Sequence, residues 1–127
     1  MAKALNGNNR PVVVLVDDDA AVLVSLKFAL EMEGFSVLAY ENAEDLLADT
    51  TRVNAGCFVL DYYLPGANGL DLLKTLRRRG LSTPVILITT NPSELLQRRA
   101  QAEGATIVEK PLLGSGLLDA VRSSVGA

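Results

Sequence analysis

Three consecutive aspartates, Asp17, Asp18 and Asp19, close an apolar run over residues 12–16, and a further aspartate, Asp61, closes another over 57–60. Thr89 and Thr90 stand at the end of a third such run, and Lys110 follows a fourth with one residue between. Carboxylates brought close together repel one another and raise their own pKa values unless a cation screens them. A hard divalent ion with oxygen ligands meets that need: Mg2+ takes one or two carboxylates, keeps several waters and also contacts phosphate oxygens. A lysine beside such a site suits a phosphoryl group as a compact charge with three donors. A threonine hydroxyl can donate to another phosphoryl oxygen, and a carboxylate can act as the nucleophile that forms an aspartyl phosphate. If these residues meet, the set suggests Mg2+-assisted phosphoryl chemistry on an aspartate. Each residue also has an ordinary reading: a solvated loop and helix cap for 17–19, a turn former for Asp61, strand-end threonines, an exposed lysine. Their joint placement at four different strand ends carries the argument.

The elements that would position them alternate along the chain. Residues 12–16 are a continuous apolar run of the kind found in strands buried on both faces. A helix over 20–33 follows, with Val22, Leu23, Leu26, Ala29 and Leu30 at helical spacing, Asp19 as its cap and Gly34 as its stop. Further strands are expected at 35–40 (alternating through Phe35, Val37 and Ala39), 57–60, 85–88 and 105–108. Helices are expected at 43–49 after Asn42, at 70–79, from a Ser93 cap to about 103, and from Leu117 onward. Five βα units imply an α/β fold, a doubly wound parallel sheet with helices on both faces and right-handed crossovers. In open sheets of this kind ligands bind outside the carboxyl ends of the strands, where the aspartates, threonines and lysine fall.

Composition narrows the chemistry. The chain has 127 residues, room for one domain of ordinary size: a lead-in over 1–10 and a domain over 11–127. It contains no histidine, which removes Ser-His-Asp and Cys-His catalysis and histidine metal sites. The single cysteine, Cys57, cannot form an internal disulfide and fits a reducing compartment. A net charge of −3 argues against an autonomous nucleic-acid binder. The arginines at 77–79 and 98–99 read as solvated residues near helix C-termini, favoured by the helix dipole. No apolar run approaches the ~20 residues of a membrane span, and the N-terminus lacks the apolar core of a signal peptide, so a cytoplasmic location is expected.

In order and spacing, Val16-Asp17-Asp18-Asp19, the run Asp61-Tyr62-Tyr63-Leu64-Pro65-Gly66-Ala67-Asn68-Gly69, Ile88-Thr89-Thr90, Gly104-Ala105 and Glu109-Lys110-Pro111 resemble the receiver domain of two-component response regulators. The likeness covers the chain from about Val12 to Val125. It implies a flavodoxin-like sheet of strand order 2-1-3-4-5 with five helices. It implies that Asp61 is the phosphoacceptor and that Asp18 binds the metal directly. Asp17 would hold metal-bound water, the Tyr63 backbone carbonyl would be a further ligand to Mg2+ or Mn2+, and Asp61 itself would complete the set. Lys110 would contact the phosphoryl group, Thr89 would move onto it, and the Lys110-Pro111 bond would be cis. Asp19 is left as the helix cap. The resemblance implies a sensor histidine kinase or a histidine phosphotransfer protein as partner, since the chain has no histidine donor of its own. It implies an output surface on the fourth helix, fifth strand and fifth helix, leaves room for a homodimer through the last two helices, and gives no enzyme beyond the domain's own phosphorylation and dephosphorylation.

The sequence departs from the family pattern in three places. Ile107 stands where a tyrosine or phenylalanine usually sits, so the usual aromatic rotamer switch is missing. Thr90 is larger than the small residue expected there and would narrow access to Asp61. Tyr63 is bulky, and is expected to shield an acyl phosphate from water. A flavin carrier on the same fold is disfavoured by three aspartates where a phosphate-cradling loop would be needed. An aspartate-nucleophile phosphatase would need an acid where Tyr63 stands. A pseudo-receiver, binding protein without phosphorylation, is the remaining alternative, favoured by Ile107. The chain reads as a stand-alone receiver or as a piece of a longer regulator or hybrid kinase.

Overall fold

A computed structural model describes residues 10–49, 54–112 and 114–126. The expected lead-in therefore lies, apart from residue 10, outside the described residues. The elements alternate strictly: β1 (Val12–Val16), α1 (Ala20–Met32), β2 (Ser36–Tyr40), α2 (Ala43–Asp49), β3 (Cys57–Asp61), α3 (Gly69–Arg78), β4 (Val85–Thr89), α4 (Glu94–Ala102), β5 (Ala105–Glu109) and α5 (Gly116–Val125). The strands form one sheet in the order β2-β1-β3-β4-β5, every neighbouring pair parallel. Fold class and strand order agree with expectation.

The three central strands are buried along their whole length. Successive residues point to opposite faces of a strand, and each face has its own core. Val13, Leu15, Val59, Ile86 and Ile88 pack with Leu23 and Leu30 of α1 and Leu117 and Val121 of α5. Val14, Val16, Phe58, Leu60 and Leu87 pack with Leu46 of α2, Leu73 and Leu76 of α3, and Leu96 and Ala100 of α4. Each fully buried aliphatic side chain contributes roughly 1.5–3 kcal/mol, so the middle of the sheet is the most firmly held part of the molecule. The edge strands differ. In β2 Val37 is buried but Ala39 is exposed, against the expected alternation, because an edge strand is covered over only part of its length.

Local signals set the helix ends. Asp19 caps α1 by accepting from the backbone N–H groups of Ala21 and Val22 at 3.0 and 3.2 Å. Asn42 and Asn68 accept from Asp45 and Asp71, each at 2.8 Å, and Ser93 accepts from Leu96 at 3.0 Å. Gly34 takes the left-handed φ of 96° that ends α1. On α1 itself, only Leu23 and Leu30 of the expected inward set are buried; Ala29 is exposed. Among the described residues no helix is long and apolar enough to cross a membrane.

Candidate functional site

The parallel order brings the C-terminal ends of β1, β3, β4 and β5 to one edge of the sheet, and the chemistry-bearing residues with them. Asp61 and Thr89 are not just beyond their strands, as expected, but their last residues, because the ladder continues past them. The Tyr62 N–H donates to the Ile88 carbonyl at 2.9 Å, and the Lys110 N–H to the Thr89 carbonyl at 2.8 Å. Asp61 is therefore carried by the rigid centre of the sheet and is only 4% exposed.

The structure brings Asp17, Asp18 and Asp61 together: one carboxylate oxygen from each lies within 4.8 Å of the other two. Asp17 and Asp61 are buried and Asp18 is exposed. Lys110 Nζ lies 3.3 Å from Asp61 Oδ1 and 4.0 Å from Asp17 Oδ2. Asp17 Oδ1 accepts from the Asp19 N–H at 2.9 Å. Its other oxygen, Oδ2, is buried with no hydrogen-bond partner among the described residues; at 4.0 Å Lys110 attracts it without bonding it. Burial pushes the Asp17 carboxyl above its ordinary range, and the charges of Asp61 and Asp18 add to this. The Asp19 N–H and Lys110 act the other way.

Three clustered carboxylates against one ammonium leave uncompensated negative charge, and an orphaned buried oxygen is costly. A small divalent cation with oxygen preference fits this donor set, relieving the repulsion and giving Asp17 Oδ2 a partner, directly or through water. Tyr63 lies two residues past Asp61, and its N–H donates to Asp61 Oδ1 at 3.4 Å. Its ring is largely in solvent, edge-on to Tyr62 at 5.0 Å between centroids. Thr89 is buried, and its hydroxyl donates to the Thr90 carbonyl at 3.3 Å. The Lys110-Pro111 bond is cis. Ile107 pairs in register with Leu87 and packs against the α2/α3/α4-side core, so an aliphatic side chain fills that position.

Two residues matter in ways the sequence did not signal. A Cβ on Gly69 would lie 2.6 Å from the Asp61 carbonyl oxygen and 3.1 Å from Leu87 Cδ2, so the first turn of α3 rests directly on the backbone that carries Asp61. Arg77, expected as a solvated arginine, instead turns inward. Its Nε donates to the Glu103 carbonyl at 2.9 Å and its Nη1 to the Leu81 and Thr83 carbonyls at 2.9 and 2.8 Å.

Residues 13–122 match the family model described as the response regulator receiver domain. The chain is 38% identical over 115 residues to the transcriptional regulatory protein FixJ of Azorhizobium caulinodans, covering 90% of this chain and 54% of that one. Among solved structures, FixJ-N superposes with a TM-score of 0.82 at 31% identity, covering 91% of this chain and 94% of that one. The receiver domain of the Francisella response regulator 1452 shares the fold, with a TM-score of 0.85 at 24% identity and coverage of 92% and 98%. The chain spans about half the length of the curated relatives it matches.

Proposed function

The chain belongs to the response regulator receiver domain family, and from that premise we propose that residues 11–127 work as the phosphoacceptor unit of a two-component system, with Asp61 as the residue phosphorylated. One observation carries this reading: a buried aspartate at the end of the central strand, with an ammonium 3.3 Å away and two further carboxylates within 4.8 Å. The domain is a signalling switch, and the chemistry it performs is on itself.

The Asp61 carboxylate attacks the phosphorus of a phosphodonor in line, forming the acyl P–O bond as the bond from phosphorus to the donor breaks and the donor leaves with that electron pair. No proton has to leave Asp61, so positioning and charge neutralisation supply the catalysis. Lys110 donates to the transferring phosphoryl group, and the Thr89 hydroxyl donates a hydrogen bond to a phosphoryl oxygen. Asp18 and Asp61, Asp17 through water, and the Tyr63 backbone carbonyl would hold Mg2+ or Mn2+. That ion supplies charge neutralisation for the phosphoryl oxygens. Tyr63 screens the product from water. This chain has no histidine, so a sensor histidine kinase or a histidine phosphotransfer protein is the proposed donor, in the cytoplasm. The switched surface is proposed to be α4, β5 and α5, which is also where a homodimer would form.

Incubation with acetyl phosphate tests the proposal. Intact mass should rise by one phosphoryl group when Mg2+ is present and not in its absence, and Asp61→Asn should abolish the gain. No mass gain under any condition would favour the pseudo-receiver, to which Ile107 in place of an aromatic residue points.

A further inference from the structure

The ends of α4 are held very differently. Its C-terminal end is pinned: the Arg77 fork bonds the carbonyl of Glu103, the residue that closes α4, and two carbonyls of the α3–β4 connection. Arginine offers five donors in a fixed plane, and its bonds to carbonyls are charge-assisted. Being cationic, it also complements the negative C-terminal ends of both α3 and α4. Among the described residues the N-terminal end has no comparable hydrogen-bonded tie to another element, and Leu96 is what packs it on the core. Its side-chain bonds stay within the segment 92–98: Ser93 to Leu96, Gln97 to the Pro92 carbonyl, and Arg98 to Glu94. Leu96 and Ala100 are the helix's buried side chains. The preceding Thr90 and Asn91 are exposed, and Asn91 takes a left-handed φ of 43°.

We propose that Arg77 is a positioning residue for the switch: it fixes the C-terminal end of α4, so that phosphorylation of Asp61 swings the helix from its N-terminal end. The inference rests on the phosphoacceptor reading. The Thr89 hydroxyl has one proton to donate and now hydrogen-bonds the Thr90 carbonyl with it. Moving it to a phosphoryl oxygen frees that carbonyl and with it the loop leading into α4. The helix of nine residues is about 13 Å long, and a rotation of about 10° at the pin carries its free end about 2 Å. No aromatic rotamer is required, which suits a chain with Ile107 on β5.

Amide hydrogen exchange on the whole chain, with and without beryllofluoride and Mg2+ as a phosphoryl mimic, tests this. In the wild type, loading should change exchange at 90–97 and leave 100–104 alone. In Arg77→Met, exchange at 100–104 should rise about tenfold relative to the β4 amides, the loss of one charge-assisted hydrogen bond, and the response to loading should spread along all of α4. Arg77→Lys keeps the charge without the fork and should fall between the two; it carries the test if the methionine variant does not fold. Equal acceleration of all amides in Arg77→Met, or a loading response unchanged from wild type, would reduce Arg77 to a structural staple and overturn the proposal. A uniform response of α4 in the wild type would overturn it alone, whereas no response to beryllofluoride anywhere in the wild type would bring down the phosphoacceptor reading as well.

Discussion

Gly69 has no room for a methyl group. An alanine there would set its Cβ 2.6 Å from the Asp61 carbonyl oxygen and 3.1 Å from Leu87, and neither the central strand nor the core beneath it can yield cheaply. Gly69→Ala is expected to cost about 1–3 kcal/mol by overpacking, read from urea unfolding, and to slow phosphorylation by acetyl phosphate because the strain falls on the residue that accepts the group. A stability loss with an unchanged rate would mean that β3 holds Asp61 independently of α3. Tyr63 is a second residue whose effect depends on where its ring goes. It stands in solvent beside Tyr62, free to fold over a modified Asp61. Tyr63→Asn should shorten the half-life of the acyl phosphate, followed by loss of the added mass; a half-life equal to wild type would remove Tyr63 from that role.

Among the elements, α1 is the anomaly. It is apolar nearly all round, a pattern that belongs to helices covered on more than one side. The sheet covers only one: Val24, Phe28 and Met32, one turn apart, are 70%, 66% and 71% exposed. The helix starts at Asp19, on the rim of the site. A groove of about 430 Å3 between Ala21, Val22, Ser25 and Leu26 on one side and Lys110, Pro111 and Leu112 on the other joins it to the lysine. Exposed apolar stripes of this kind mark interaction surfaces, and under the proposed function a macromolecular phosphodonor would have to cover this rim to reach a carboxylate that is 4% exposed. Phe28→Asp should therefore reduce phosphotransfer from a histidine phosphotransfer protein by more than about tenfold, as loss of an aromatic anchor does. Phosphorylation by acetyl phosphate, which needs no docking, should hold at the wild-type rate. Equal loss with both donors would point to damage at the site rather than at a docking face.

For the whole molecule, the acidic rim is a liability that a bound cation would relieve. The folded chain holds the Asp17 carboxyl above its ordinary value of 3.8, first because it is buried and then because of Asp61 and Asp18. A group whose pKa is raised by folding binds its proton more tightly in the folded state. Its contribution to stability is thus complete below 3.8 and is lost as pH climbs through the raised value. Over that climb the wild type should lose stability relative to Asp17→Asn in metal-free unfolding, and Mg2+ should restore stability at neutral pH by about 2.7 kcal/mol at a hundred times its dissociation constant. A metal-free pH profile identical in wild type and Asp17→Asn would show that Asp17 carries none of this cost. Much of this architecture was legible beforehand. Unbroken apolar runs such as 12–16 belong in strands covered on both faces, and Asp19, Asn68, Ser93 and Gly34 are local end signals that act within one helical turn. Position in the chain likewise put Asp17, Asp18, Asp61, Thr89 and Lys110 on one edge of the sheet, because parallel strands end there together. What the amino-acid order could not contain is distance. The orphaned oxygen of Asp17, the extension of the ladder through Asp61 and Thr89, the carbonyl pressed against Gly69, and the reach of Arg77 to a residue 26 positions away all arise only when separate strands and helices pack, and no local period encodes such contacts.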